Sequence, residues 1–128
     1  MKSMSKKATA ILLSISLLFV CSIAVYAYEV DRVSSTIDGF YCNGTLWTIS
    51  STSMGATTYV NSGASVSSNT TTIKVRSGGY DPVKVTNGPH PYNEVDAIAS
   101  IGGTIGSAFA EHTLELHTGG YWYGETYY

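Results

Sequence analysis

The sequence contains little cysteine, and this limits how the fold can be held together. Of 128 residues only Cys21 and Cys42 are cysteine, and Cys21 lies in an apolar N-terminal segment that we expect to be removed. A single remaining thiol cannot form an internal bridge, so the disulfide framework that stabilises many small secreted domains is excluded. We therefore expect Cys42 to be a buried, small apolar side chain; the alternative is a disulfide with another chain.

Basic residues are also scarce after the N-terminal segment. Residues 28–128 contain four Lys or Arg against nine Asp or Glu, a formal charge of −5. Nucleic acids and anionic lipid surfaces are bound through clustered Lys and Arg. We expect no nucleic-acid partner, and no stable membrane association once the N-terminal segment is removed.

The N-terminal segment itself is apolar and long. Three lysines within the first seven residues precede a stretch without charged side chains at 8–28, which is typical of a secretory signal peptide. Small residues near its end predict cleavage after Ala27, giving a signal peptide at 1–27 and one secreted domain at 28–128. The apolar stretch is about as long as the roughly 20 residues that cross a bilayer, so an uncleaved membrane anchor is the alternative.

Helical periodicity is absent from the rest of the chain, whereas β-branched, aromatic and turn-forming residues are frequent. This composition predicts short strands separated by turns. The predicted breaks lie at Asp38-Gly39, Asn43-Gly44, Asn61-Ser62-Gly63, Ser77-Gly78-Gly79, Asn87-Gly88-Pro89 and Thr118-Gly119-Gly120. About seven or eight strand-length segments result, so we predict the all-β class and a small antiparallel β-sandwich.

Three of these segments alternate cleanly between apolar and polar residues: 71–76, 94–101 and 108–117. Side chains on a strand point to opposite faces with a period of two, so each segment has one face for the core and one for water. The predicted inward residues are Thr71, Ile73, Val75, Val95, Ala97, Ala99, Ile101, Ala108, Ala110, His112, Leu114 and Leu116.

The last two strands are expected to form a hairpin, and the length of its loop decides which residues are buried. A two-residue loop would place Glu125 in the core. A three-residue loop, Thr118-Gly119-Gly120, instead pairs Leu116 with Trp122 and leaves Glu125 in water. We predict the three-residue loop, with Trp122 packed on Leu116.

Histidines and paired carboxylates do not combine into a site. His112 and His117 are an odd number of residues apart, so one strand would project them to opposite faces, and His90 lies in a proline-bounded turn. We expect His112 to be a hydrogen-bonded residue at the edge of the core. The acid pairs share polar strand faces instead of converging in a cleft: Glu94 with Asp96, and Glu111 with Glu115. We predict no metal, no cofactor and no catalytic residues, hence no enzyme.

The candidate binding residues are the tyrosines Tyr121, Tyr123 and Tyr127. With Trp122 inside, all three lie on the outer face of the last strand. Tyrosine provides a large contact area at low entropic cost, and it stacks on sugar faces or anchors protein contacts. The partner would then be an extracellular protein or a cell-wall carbohydrate polymer; the alternative is that these rings only stabilise the sheet.

In overall form the chain resembles the small exported proteins of Gram-positive bacteria. A signal peptide precedes a Gly/Ser/Thr/Tyr-rich β domain that ends in Glu125-Thr126-Tyr127-Tyr128. Among such proteins it is similar to the lactococcin-like bacteriocins, which are small secreted β-sandwiches with aromatic ends. The resemblance implies a bacterial source and a toxin acting on a competitor's envelope as one alternative function. Our leading hypothesis is a secreted non-enzymatic binding module; a structural component of a surface layer or matrix is the third.

Overall fold

The computed structural model describes residues 27–128, which form eight strands and no helix. The strands are β1 (Tyr28–Ile37), β2 (Phe40–Ser50), β3 (Ser53–Val60), β4 (Val66–Arg76), β5 (Val83–His90), β6 (Glu94–Ser100), β7 (Ser107–Leu116) and β8 (Tyr121–Tyr127). The predicted small antiparallel β-sandwich is thereby confirmed. The expected signal peptide, except for Ala27, lies outside the described residues.

Two four-stranded antiparallel sheets make up the sandwich. Sheet A has the strand order β1-β2-β3-β6 and sheet B the order β5-β4-β7-β8. The chain passes between the sheets at 61–65, 91–93 and 101–106. No helix in the described part of the chain is long and apolar enough to cross a membrane.

The outermost strands of the two sheets contact each other on both sides of the sandwich. On one side Asn87 Nδ2 of β5 donates to the Asp96 carbonyl of β6 at 2.7 Å. On the other, the Tyr127 N–H of β8 donates to Asp31 Oδ2 of β1 at 2.9 Å. Side-chain contacts of this kind occupy strand edges that would otherwise pair with other chains.

The inner faces follow the predicted alternation. Along β6, for instance, Val95, Ala97 and Ala99 are buried and the residues between them are exposed. The core consists of two apolar clusters, one around Leu46 and Ile73 and the other around Leu114, Leu116 and Trp122. A layer of buried polar residues separates the clusters along the strands: Thr58, Asn69, Thr71, His112 and Thr126.

Cys42 belongs to the second cluster and has no exposed surface. Its Sγ lies 3.5 Å from the Ser35 carbonyl oxygen, and loss of hydration raises the pKa of the thiol despite this contact. The prediction of a buried apolar cysteine is confirmed. A bridge to another chain would require the sandwich to open.

The loop between β7 and β8 has the predicted length but a different position. Its three residues are 117–119, not 118–120, because the Leu116 N–H donates to the Gly120 carbonyl at 2.8 Å. Gly119 has a φ of 90°, the left-handed conformation that this bulged turn requires.

This displacement changes the pairing of β8 by two residues. Trp122 lies opposite Leu114, not Leu116 as predicted, and Glu125 lies opposite Glu111. Because two is an even number, every side chain keeps its predicted face. Trp122 is accordingly buried and Glu125 lies on the outer face.

Two predicted breaks were wrong. Asn87-Gly88-Pro89 lies inside β5, where the pairing with β4 shifts register, and Asn43-Gly44 lies inside β2 and does not form a turn. A Cβ at Gly44 would overlap the imidazole of His112 on the opposite sheet. Gly44 therefore allows the two sheets to lie close together at this point. Such a close approach is a common reason for a glycine within a strand.

Candidate functional site

The three candidate tyrosines lie together on the outer face of sheet B. Tyr121, Tyr123 and Tyr127 are 62%, 44% and 56% exposed. They alternate on β8 with Trp122 and Thr126, which are buried in the core. The structure thus places all three where the sequence predicts; their role in binding stays a prediction.

Glu125 ties two of these rings together. Tyr123 Oη donates to Glu125 Oε1 at 2.5 Å, and Tyr127 Oη donates to Glu125 Oε2. The Tyr123 and Tyr127 hydroxyls lower the pKa of Glu125, and the carboxylate in turn raises the pKa of both phenols. At neutral pH the carboxylate is therefore charged, both hydroxyls keep their protons, and the rings are oriented before any ligand arrives.

A second carboxylate, Glu111, lies beside this pair. It is directly opposite Glu125 across β7 and β8, and Tyr123 Oη is 3.1 Å from its Oε1. Like charges directly opposite each other destabilise a sheet. The position of the Tyr123 hydroxyl between the two carboxylates partly offsets this repulsion.

The aromatic surface continues onto β7 through Phe109. Its ring centroid lies 5.2 Å from that of Tyr127, with 45° between the planes. Next to this pair is an open groove of about 420 Å³, whose lining includes Lys74, Arg76 and Tyr128. The site thus combines aromatic surface, carboxylate acceptors and basic side chains on one face of one sheet.

In the core, His112 lies deeper than the core-edge position we predicted. It has no exposed surface, with Nδ1 at 2.9 Å from Thr58 Oγ1 and Nε2 at 3.0 Å from Thr126 Oγ1. Loss of hydration lowers the pKa of His112 to about 4, although the charge of Asp31 opposes the shift. The imidazole is neutral at physiological pH, and its enclosure gives it a structural role.

Hydroxyl groups of both sheets surround the imidazole of His112. Thr71 Oγ1 lies 2.6 Å from Thr58 Oγ1 and 2.7 Å from the Val95 carbonyl oxygen, and it can donate its single hydrogen to either. A neutral imidazole has one N–H and one acceptor nitrogen. Of the two hydroxyl groups beside the ring, Thr58 and Thr126, one therefore accepts from His112 and the other donates to it.

The other two histidines lie apart from His112. His90 ends β5, where Nε2 is 2.8 Å from Asn87 Oδ1 and the ring stacks on Tyr92 with centroids 5.3 Å apart. His117 lies in the exposed β7–β8 loop. Within residues 27–128, no three His, Cys, Asp or Glu side chains are grouped so that they could hold a metal ion.

Sequence reasoning missed a second aromatic surface, on the outer face of sheet A. Trp47 packs across Gly55, and its Nε1 donates to Thr57 Oγ1 at 3.1 Å. Thr57 donates onward to Asp96 Oδ1 at 2.6 Å. Trp47 directly follows the buried Leu46, so alternation would have placed Trp47 on the outer face. It would not have shown that Gly55 lies beneath the ring.

Comparison with known proteins finds no matching family model, no matching curated protein and no matching solved structure.

Proposed function

We propose that this chain is a small exported binding module without enzymatic activity, and that the outer face of β7 and β8 is its contact surface. The observation that carries the proposal is the pair Tyr123 and Tyr127, two exposed rings whose hydroxyls share one carboxylate. Exposed aromatic rings that are already ordered lose little entropy on binding, which is what a contact surface requires.

The ligand class we propose is a cell-wall carbohydrate polymer. The Cα atoms of Tyr123 and Tyr127 are about 13 Å apart along the strand, and their hydroxyl groups converge on Glu125 between them. The two rings therefore cover this length of β8, which suits an extended ligand. Carboxylates at Glu111 and Glu125 can accept hydrogen bonds from sugar hydroxyl groups, while the rings stack on the apolar faces of sugars. An extracellular protein is the alternative partner.

Export is part of the same proposal. The lysine-led apolar segment at 1–27 supports secretion, and the first strand begins at Tyr28. Mass spectrometry of culture supernatant from the producing cells should find a chain beginning at Tyr28. Recovery of an intact N-terminus in the membrane fraction would instead support the membrane anchor.

The binding proposal is tested by incubating the purified protein with isolated bacterial cell walls and with intact cells. The variant Tyr123→Ala/Tyr127→Ala should stay folded and lose at least tenfold in cell-wall affinity. Tyr41→Ala is the matched control, because Tyr41 is 40% exposed but lies on β2 in the other sheet. It should bind as the parent does.

Other results of this experiment would contradict the proposal. Loss of viability in intact cells would support the toxin, and assembly of the purified protein into polymers would support the structural component. Equal binding by the parent and the double tyrosine variant would exclude the β8 face, and Trp47→Ala would then test the aromatic surface of sheet A.

A further inference from the structure

The basic side chains of the domain are unevenly distributed. Arg32 on β1 is paired with Glu29, and this is the one ion pair found among residues 27–128. The other three, Lys74, Arg76 and Lys84, lie at one end of the outer face of sheet B. In a domain with nine acidic residues, none of these three cations has a carboxylate within ion-pair distance.

Two of the cations face each other directly. Lys74 of β4 lies opposite Lys84 of β5, and Arg76 follows Lys74 on the same face of β4. Like charges directly opposite each other destabilise a sheet. The next row across the sheet holds the acidic pair Glu111 and Glu125. Exchanging one residue between the rows would relieve both repulsions, so folding alone does not explain why the charges are segregated.

The lysine pair, Lys84 and Lys74, lies next to the groove beside Phe109 and Tyr127. Lys74 lies opposite Phe109, and Phe109 lies opposite Tyr127, so one row across four strands runs from lysines to aromatic rings. The groove of about 420 Å³ is lined by Lys74 and Arg76 together with Phe109, Tyr127 and Tyr128. A ligand in this groove would meet positive charge on one side and ring faces on the other.

We propose that this groove binds an anionic polysaccharide, with a sugar face on the rings of Phe109 and Tyr127. Its acidic groups would lie at Lys74 and Arg76 in the groove and at Lys84 beside it. The inference rests on the proposed function, because Tyr127 belongs to both surfaces, and it deepens it by giving the charge of the ligand. Ring faces beside cations suit a sugar that carries a carboxylate or phosphate.

Charge distribution favours a glycan over nucleic acid or a membrane. A DNA backbone carries one charge per roughly 1.7 Å of helix axis, and an anionic bilayer presents a continuous negative surface. Either would extend from the three cations over Glu111 and Glu125, which lie one row away. A polysaccharide has widely spaced charges, and its hydroxyl groups can donate to those two carboxylates.

The experiment uses the full chain and two forms of one polymer, sodium polygalacturonate and its methyl ester, which keeps the sugar and removes the charge. We expect the charged form to bind at least tenfold more tightly. With three cations involved, affinity for it should fall roughly tenfold between 50 and 200 mM salt.

Lys84→Glu separates binding from stability. A glutamate there would lie opposite Lys74 and replace a repulsive pair with an attractive one. The variant should unfold at the same or a higher denaturant concentration than the parent, yet lose at least tenfold in affinity for polygalacturonate. Arg32→Gln removes a paired cation from the other sheet and should bind as the parent does.

Each other outcome overturns the inference. If both polymer forms bind equally and salt has no effect, the cations do not take part in binding. The outer face of β8 would then be the site for a neutral glycan. Binding of DNA or of phosphatidylglycerol vesicles, but not of polygalacturonate, would show that the cations serve another polyanion. No binding to either form would refute the anionic-glycan site, while the cell-wall assay with the tyrosine variant decides the proposed function separately.

Discussion

A neutral, fully enclosed histidine in the middle of a sandwich has to be stabilised by its hydrogen bonds. Both ring nitrogens of His112 have hydroxyl partners, and the partners come from different sheets: Thr58 from β3 and Thr126 from β8. Asn69 adds another link, since its Nδ2 on sheet B donates to the Thr58 carbonyl on sheet A at 3.1 Å. Hydrogen bonds are directional, so this polar layer restricts how the two sheets lie on each other.

The depressed pKa of His112 gives stability a pH dependence with a definite sign. The folded state has a pKa of about 4, below the ordinary value of 6.5, so between these values the unfolded chain binds the proton more readily. The contribution of His112 to the free energy of unfolding should be fully present above about pH 6.5. It should fall by roughly 3 kcal/mol as the pH drops to 4. Urea unfolding across this range measures it.

His112→Gln should lose this part of the pH dependence, whereas His117→Gln, which removes an exposed imidazole, should keep it. Nitrogen-15 NMR of the parent tests the same point without a variant. It should show a titration near pH 4 and, at neutral pH, one protonated and one unprotonated ring nitrogen. An imidazole that titrates at its ordinary pKa would contradict the enclosed position of His112.

Gly44 provides a second test at the scale of one residue. In Gly44→Ala the new methyl group would overlap the imidazole of His112, which its two hydroxyl partners hold in place. We expect a loss of roughly 1–3 kcal/mol in the free energy of unfolding. Gly78→Ala is the matched control, because a Cβ there meets nothing within 4 Å, and it should change stability little. Equal effects of both substitutions would contradict the close approach.

Among the elements, the β7–β8 hairpin has a core face and an outer face, and the outer face is the one we propose for binding. Trp122 is 8% exposed and covers Gly124, with its ring centroid 6.4 Å from that of His112. Trp122→Ala should cost roughly 3–5 kcal/mol of unfolding free energy. Tyr123→Ala, on the opposite face, should cost about 0.2–1 kcal/mol. Denaturant unfolding of both variants measures the difference. A larger loss for Tyr123→Ala than for Trp122→Ala would mean that Tyr123, and not Trp122, lies on the core face of β8.

In the segments 71–76, 94–101 and 108–117 and in β8, the alternation of residues was enough to predict which side is buried, but not which residues are neighbours across strands. For β8 the period of two places Trp122 inside and Tyr123 outside whatever the pairing. The partner of Trp122 depends on where the loop closes, and either of two three-residue loops keeps the same faces. Loop position depends on backbone geometry around Gly119, so the predicted partner Leu116 was wrong by two residues.

Contacts between strands of different sheets could not be predicted from the sequence either. Asn43-Gly44 has the composition of a turn, and only the position of His112 on the other sheet shows why a glycine belongs there. The site was predictable to the same extent: the period of two placed the tyrosines outside. It could not show that Lys74 faces Lys84, because that contact requires the pairing of β4 with β5.

At the scale of the whole molecule, the two sheets have different outer faces. Sheet B carries the three exposed tyrosines of β8, the acidic pair and all three cations without an ion-pair partner in residues 27–128. Sheet A carries Trp47, packed over Gly55. With the edges of the sheets in contact on both sides, these two faces are the large surfaces left for a partner. We propose that the partner binds the outer face of sheet B.

Binding of a glycan to the outer face of sheet B can be tested by mapping the bound surface with NMR. Soluble cell-wall glycan fragments are titrated into nitrogen-15-labelled protein, and the amide shifts are followed residue by residue. If the ligand binds sheet B, the shifts should concentrate on β4, β7 and β8, around Lys74, Phe109 and Tyr127, while the amides around Trp47 should not shift. Shifts confined to sheet A, with β8 unchanged, would contradict it.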